Sequence, residues 1–178
     1  MAVTVDGLYE PADTEQAWTE WGCNCGPAAL AAVLQKDCNE VRSLFAGFDR
    51  RRYVNPTHMR DALAAARVPA WRSVGEWPQY GLVFLQIEGP WCNPGVPVGV
   101  AYRHTHWIAS TVASYGGEVQ QFVYDVNADQ WAPFRWWWGH TWVHIAKRHK
   151  GCTGTYRART VIEVPDPRAV RHIEEAEG

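Results

Sequence analysis

Two hydrophobic patterns share this chain, and they change over near residue 80. Before that point apolar residues recur with helical spacing. "CGPAALAAVLQK", residues 25–36, is apolar nearly all round, which predicts a helix buried at the centre of a domain. Pro27 falls in its first turn, where a missing N–H costs nothing, and alanine and leucine propagate it. "NEVRSLFAGF", 39–48, predicts a second, amphipathic helix capped by Asn39. "NPTHMRDALAAARV", 55–68, predicts a third, with Asn55 as cap, Pro56 at the first helical position and Val68-Pro69 as its end. Residues 1–20 read as a loosely structured lead-in.

From Gly81 the pattern turns to β. "GLVFLQIEG" is a strand-like run followed by the loop "PWCNPG". "VPVGVAYRHTHWIASTVAS" predicts one or two strands and "EVQQFVYDVNA" the next, with Gly116-Gly117 between them marking a hairpin. "HTWVHIAKRH" and "TYRARTVIEV" alternate as strands of a sheet with one wet face. The tail "DPRAVRHIEEAEG" is charged, and residues 165–178 are expected to fray or form a short helix. Helices first and an antiparallel sheet after them make an α+β layout with no internal repeat.

Composition narrows the classes. At 178 residues the chain supports one domain, 1–178, with a real core. A formal net charge of -2 and a pI near 6.4 argue against a nucleic-acid partner. No apolar run reaches the roughly 18–20 residues that a membrane span requires. The acidic start lacks the apolar stretch of a secretory signal. Five cysteines, an odd number, do not read as a disulfide framework, so a reducing, cytoplasmic compartment is expected. Cys23, Cys25 and Cys38 lack an answering ligand pair at similar spacing, so no metal is expected, and no organic cofactor. The eleven tryptophans are the anomaly. Several crowd between Trp131 and Trp142, where three in succession cannot all point inward from one strand; at least one should be exposed or shield a catalytic His–Asp pair from water.

Three pieces carry candidate chemistry. Cys25 stands at the start of the buried helix, His106 at the start of a predicted strand, and Asp125 and Asn127 at the end of the neighbouring strand. A thiol used as a nucleophile gains from a helix N-terminus and an adjacent imidazolium, and the imidazole gains from a third group that sets its orientation. Alternation puts Asp125 and Asn127 on one face, so both are candidates for that role, with Asp125 placed ahead. Cys23 lies two residues outside the helix and gains less from its dipole. His104, two residues upstream on the same face, competes with His106.

The order of Cys-helix, His-strand and Asp/Asn-strand resembles that of papain-like cysteine peptidases. "NCGPAAL" resembles the nucleophile motif of the bacteriocin leader (double-glycine) peptidases, and His106-Trp107 followed by small and apolar residues is similar to their histidine motif. Phytochelatin-synthase-like proteins carry a related Cys-Gly-Pro. The match covers about residues 16–127. It implies a papain-like fold, in which N-terminal helices and a buried Cys-bearing helix pack on a C-terminal antiparallel sheet. It also implies cysteine hydrolysis of a peptide or isopeptide bond through a thioester, with a peptide or protein as substrate. A free-standing enzyme of a bacterium or its phage, cytoplasmic or virion-associated, is the corresponding expectation. The chain departs from the family at the oxyanion glutamine. The position about six residues before the cysteine is Thr19, so Gln16, the backbone N–H of Cys25 and the "WCNPG" loop are the candidate donors. Two rival readings use the same residues. One is a thiol acyltransferase or transglutaminase-like amidase. The other is an inactive papain-like fold serving as a protein-binding or virion-assembly module, with the tryptophans as its interface.

Overall fold

Tyr80–Ile87 (β2) is apolar in a run and buried at every position, so it requires cover on both faces. The structure, a computed structural model that describes residues 7–73 and 77–169, supplies it. With β1 (Trp71–Ser73), β3 (Thr105–Tyr115), β4 (Glu118–Asp125), β5 (Gln130–Pro133) and β6 (Tyr156–Glu163), β2 forms one sheet. Its order is β1-β6-β2-β3-β4-β5, and every neighbouring pair is antiparallel. Gly81 allows the close approach of β6, since a Cβ there would collide with the carbonyl oxygen of Ile162. The predicted hairpin at Gly116-Gly117 is present, and both glycines have positive φ, as a two-residue turn between strands requires. The α+β layout stands.

One face of the sheet carries Leu82, Phe84, Trp107, Ala109, Phe122 and Tyr124 against the helices of the N-terminal half. The helix at its centre is α2 (Cys25–Leu34), in which every residue from Gly26 to Val33 is buried. Around it lie α1 (Thr14–Trp21), α3 (Cys38–Val41), α4 (Phe48–Arg51) and α5 (Pro56–Ala65). The Asn55 side chain caps α5 by accepting from the His58 N–H at 2.9 Å, and Pro56 opens the helix as predicted.

The opposite face carries Val83, Leu85, Ile108 and Val123. After a short helix α6 (Val98–Ala101) between β2 and β3, this face is covered by a helical excursion running from residue 134 to 147. It comprises α7 (Phe134–Trp137), a π-helical turn over Trp138–Trp142 and α8 (Val143–Lys147). The alternation in "HTWVHIAKRH" predicts a strand, and the structure overturns it. Trp142, Ile145 and Ala146 bury one helical face, and the five-residue step from Trp137 to Trp142 fits the wide π turn. Both of those rings are fully buried, with centroids 5.5 Å apart.

The N-terminal expectations also need correction. Within 1–20, Thr14–Trp21 is a helix; its mostly polar sequence hides it, since only Ala17 and Trp21 are buried. The segment before it is tied down from a distance. Tyr9 donates to Asp37 at 2.7 Å, and the Asp13 carboxylate accepts from the Cys38 and Asn39 N–H groups at 2.7 and 2.9 Å. The second predicted helix is shorter than expected: α3 runs on into a 3-10 turn over Arg42–Leu44 and ends there. Asn39 lies inside α3, and its side chain accepts from the Trp21 indole. Of the tail from 165, residues 170–178 lie outside the described residues. Arg168 is held by Asp166 and donates to Thr111 Oγ1 at 2.6 Å. No helix among the described residues is long and apolar enough to cross a membrane.

The approach to α2 depends on two glycines. Gly22, left-handed at φ 70°, ends α1, with the N–H groups of Gly22 and Cys23 returning to the carbonyls of Trp18 and Ala17 at 3.0 and 3.1 Å. Gly26 follows Cys25, and a Cβ there would lie 2.7 Å from Val54 Cβ. Val54 cannot readily yield, because its carbonyl accepts from the buried Trp107 indole at 2.7 Å. Gly26→Ala should therefore destabilise the fold by about 1–3 kcal/mol, the usual cost of overpacking, measured as a lowered urea midpoint with unchanged m-value.

Candidate functional site: a Cys-His-Asp cluster at the end of the sheet

β4 ends at Asp125. Its register, Ala109 opposite Tyr124, puts Asp125 across from Ile108, so β3 runs past it toward Thr105. His106 lies two residues further along β3 on the same face as Ile108, within reach of the Asp125 side chain. His106 Nε2 is 2.9 Å from Asp125 Oδ2. Cys25 arrives from the other side of the sheet, carried past this edge by the tip of α2.

The cysteine is held where it is by its neighbour. Asn24 is the N-cap of α2: Oδ1 accepts from the Gly26 N–H at 3.1 Å, and Nδ2 donates to the Arg52 carbonyl at 2.7 Å. Asn24 is thereby fixed at both ends, and Cys25 becomes the first helical residue. Cys25 shares the cleft with His106, and its thiol is close enough to bear on the charge of the imidazole. With Nε2 committed to Asp125, the nitrogen facing the thiol is Nδ1. The Cys25 N–H is one of the first-turn donors that a helix leaves unpaired, and it has no acceptor among the described residues.

Asp125 has no exposure to water, and its carboxylate is surrounded by donors. Oδ2 accepts from the Trp137 indole at 2.9 Å in addition to facing His106. Oδ1 accepts from the backbone N–H and the side-chain amide of Asn127, at 2.8 and 2.9 Å. Asn127 thus serves the carboxylate, and the group facing His106 is Asp125.

Burial opposes charge on His106. The Asp125 carboxylate and then the Cys25 thiol outweigh it, and the imidazole titrates well above its ordinary range. Burial likewise pushes the Asp125 carboxyl up, but the imidazolium beside it and the bonds from His106, Trp137 and Asn127 hold it below the usual carboxylate range.

The cluster opens into a cleft of about 550 Å³, lined among others by Glu15, Trp18, Cys25, His106, Asn127 and Arg148. Gln16 is not part of it. Thr14, Glu15 and Trp18 face the cleft from α1, whereas Gln16, about 200° around the helix from Thr14, donates to Glu20 at 2.6 Å on the exposed face. The structure thus places Gln16 outside the cleft. The "WCNPG" loop is also elsewhere: Trp91 packs on His104 and His149, with His104 centroid distances of 4.2 Å to Trp91 and 4.5 Å to His149. His104 is therefore occupied in an aromatic cluster outside the cleft. Cys23 lines the cleft, but its thiol donates to the Asn24 carbonyl at 3.7 Å, and the neighbouring Cys38 is buried, its titration pushed up by the Cys23 thiol and by burial. No group of three or more His, Cys, Asp or Glu among the described residues is arranged to hold a metal ion.

The patterns in the chain did not reveal two contributors. Trp137 lies in the tryptophan run, where the pattern does not say which ring is buried beside the His–Asp pair; its position in α7 settles it. Asn24 carries a usable signal, since an asparagine directly before an apolar helix marks its N-cap.

The two shifted groups give stability a pH signature. His106 is raised on folding, so its contribution is complete below about pH 6.5 and is lost as pH rises through the folded value. Asp125 is lowered, so its contribution is present above about pH 3.9 and is lost as pH falls through the folded value. Stability followed by urea denaturation should therefore fall at both limits, and Asp125→Asn should flatten both limbs. Asp125→Ala, which strands a buried imidazolium, should cost about 3–5 kcal/mol at pH 6.

No family model, curated protein or solved structure matches this chain, so the site is read from its own geometry.

Proposed function

We propose that the protein is a cysteine hydrolase of papain-like arrangement that cleaves a peptide or isopeptide bond. The observation that carries this reading is the imidazole of His106, bonded through Nε2 to a buried carboxylate and sharing an open cleft with the Cys25 thiol. A structural thiol has no need of an oriented base. Cys25, by contrast, is at a helix tip with that base beside it and room for a chain in front.

The chemistry follows from these positions. Cys25 Sγ attacks the substrate carbonyl carbon, and its proton passes to His106 Nδ1. The carbonyl π electrons move onto oxygen, and the Cys25 N–H at the tip of α2 is the donor offered to that oxyanion. The tetrahedral intermediate collapses, the C–N bond breaks, and the imidazolium gives its proton to the departing amine. Water then attacks the thioester, His106 takes a proton from it, the C–S bond breaks, and the thiol recovers the proton as the acid leaves. Asp125 keeps Nε2–H directed at itself, so Nδ1 faces the sulfur throughout. Its burial beneath Trp137 keeps water from competing for that bond.

The activated ester p-nitrophenyl acetate tests the centre without knowledge of the substrate. At neutral pH it should release p-nitrophenolate and acetylate Cys25, located by peptide mass mapping, ahead of Cys92 and Cys152. Cys25→Ala should abolish the release, and His106→Ala should slow it by about a hundredfold or more, the scale of a lost general base. Gln16→Ala should leave the rate within about twofold, as a surface substitution does. Acetylation of Cys25 no faster than that of Cys92 would refute the proposal. Digestion of a random-sequence peptide library, lost in Cys25→Ala, identifies the bond cleaved.

A further inference from the structure

Arg148 is the arginine that lines the cleft. It follows the end of α8, is exposed, and its guanidinium forms no hydrogen bond or ion pair among the described residues. Arg157, Arg159 and Arg168 are engaged, with Glu88, Gln86 and Asp166 respectively, whereas Arg148 shares its unpaired state with Arg135, which lines a separate cleft without a cysteine or histidine. An unpaired guanidinium lining the same cleft as a thiol is a ready anion receptor.

Its side of the cleft is defined by packing. The helical excursion that carries it covers the sheet face bearing Leu85, Ile108 and Val123, and the same excursion sends Trp137 to Asp125. The next residue, His149, packs on His104, two positions before His106. Cys25 comes from α2, on the opposite face of the sheet. The sulfur and the guanidinium therefore approach from different layers, and Arg148 is on the imidazole's side. In displacement at a carbonyl, the departing amine takes its proton from the imidazole, so groups on that side meet the leaving half of the substrate. Two carboxylates, Glu15 and Asp129, also line the cleft; Asp129 accepts from the Thr14 hydroxyl at 2.9 Å. They oppose a bound anion, and the positive groups that favour one in the cleft are Arg148 and the imidazole of His106.

We propose that Arg148 forms an anion-binding subsite for the leaving half of the substrate, so that the protein favours peptides carrying a carboxylate just beyond the cleaved bond. The assignment to the leaving half rests on the hydrolase reading; the anion subsite itself does not. The carboxylate is either a side chain, Asp or Glu, or the free C-terminus of a short leaving fragment.

Two alkylating reagents of nearly equal size test the subsite without turnover. Iodoacetate is an anion and iodoacetamide is neutral, and the ratio of their second-order rates at Cys25 is followed by mass mapping. Arg148→Ala should lower the ratio by about fivefold, Arg148→Glu should lower it further, and Arg148→Lys should keep most of it. The peptide arms separate the two sources of charge. Leaving fragments are compared with a free or amidated C-terminus, and with Asp or Ala next to the cleaved bond. Arg148→Ala should raise KM by about tenfold for whichever carboxylate is recognised and leave the neutral partner unchanged. A reagent ratio within about twofold of wild type in both Arg148→Ala and Arg148→Glu overturns the proposal, as does an equal rise in KM for charged and neutral peptides. If no peptide is turned over while the reagent ratio responds, the hydrolase reading fails and the anion subsite stands.

Discussion

A carboxylate cut off from water must be given donors, and Asp125 draws them from three separate parts of the chain. His106 comes from β3, Trp137 from the helical excursion over the far face of the sheet, and Asn127 from the turn after β4. Removing any one leaves charge in a low-dielectric interior with fewer bonds, which is costly. The end of β4, the start of β3 and the position of α7 are thus mutually constrained by one functional group. The consequence for chemistry is an imidazole that cannot turn away, because Nε2 is bound to a fixed oxygen and only Nδ1 remains to meet the thiol.

The cluster depends equally on the sheet's having two covered faces. α2 packs on one face and brings the sulfur; the tryptophan-rich helices pack on the other and support the carboxylate. β4 stops at Asp125 while β3 continues past it, and Cys25 at the tip of α2 lines the cleft that opens beside His106. The close fit of Gly26 against Val54, and the left-handed turn at Gly22, set how far that tip reaches. The tryptophans accordingly serve as packing and as donors. Trp131, Trp137 and Trp142 are almost wholly buried, and each indole N–H finds an oxygen: the Tyr9 carbonyl, Asp125 and the Gly154 carbonyl respectively.

Local signals were legible where one face or one turn decided the outcome. α2 was readable from an apolar run with Pro27 in its first turn, α5 from Asn55 and Pro56, and the β3–β4 hairpin from paired glycines. α1 was hidden because a short polar helix anchored by Asp13 and Tyr9 leaves little periodicity. The segment 140–149 misled because its residues satisfy alternation as well as a helix that widens into a π turn, and the choice was made by the apolar face of the sheet above it.

For the site, the chain by itself determined the cast: a cysteine at the start of a buried helix, and a histidine and an aspartate on consecutive strands whose pairing a tight hairpin enforces. These are short-range consequences of capping, alternation and turn chemistry. The tertiary structure decided what each residue faces. It turned Gln16 outward onto Glu20, gave His104 to an aromatic cluster, set Asn127 behind Asp125, and brought Trp137 and Arg148 to the site from a distant segment. Such choices depend on which surfaces must be buried together, and no local pattern carries that information.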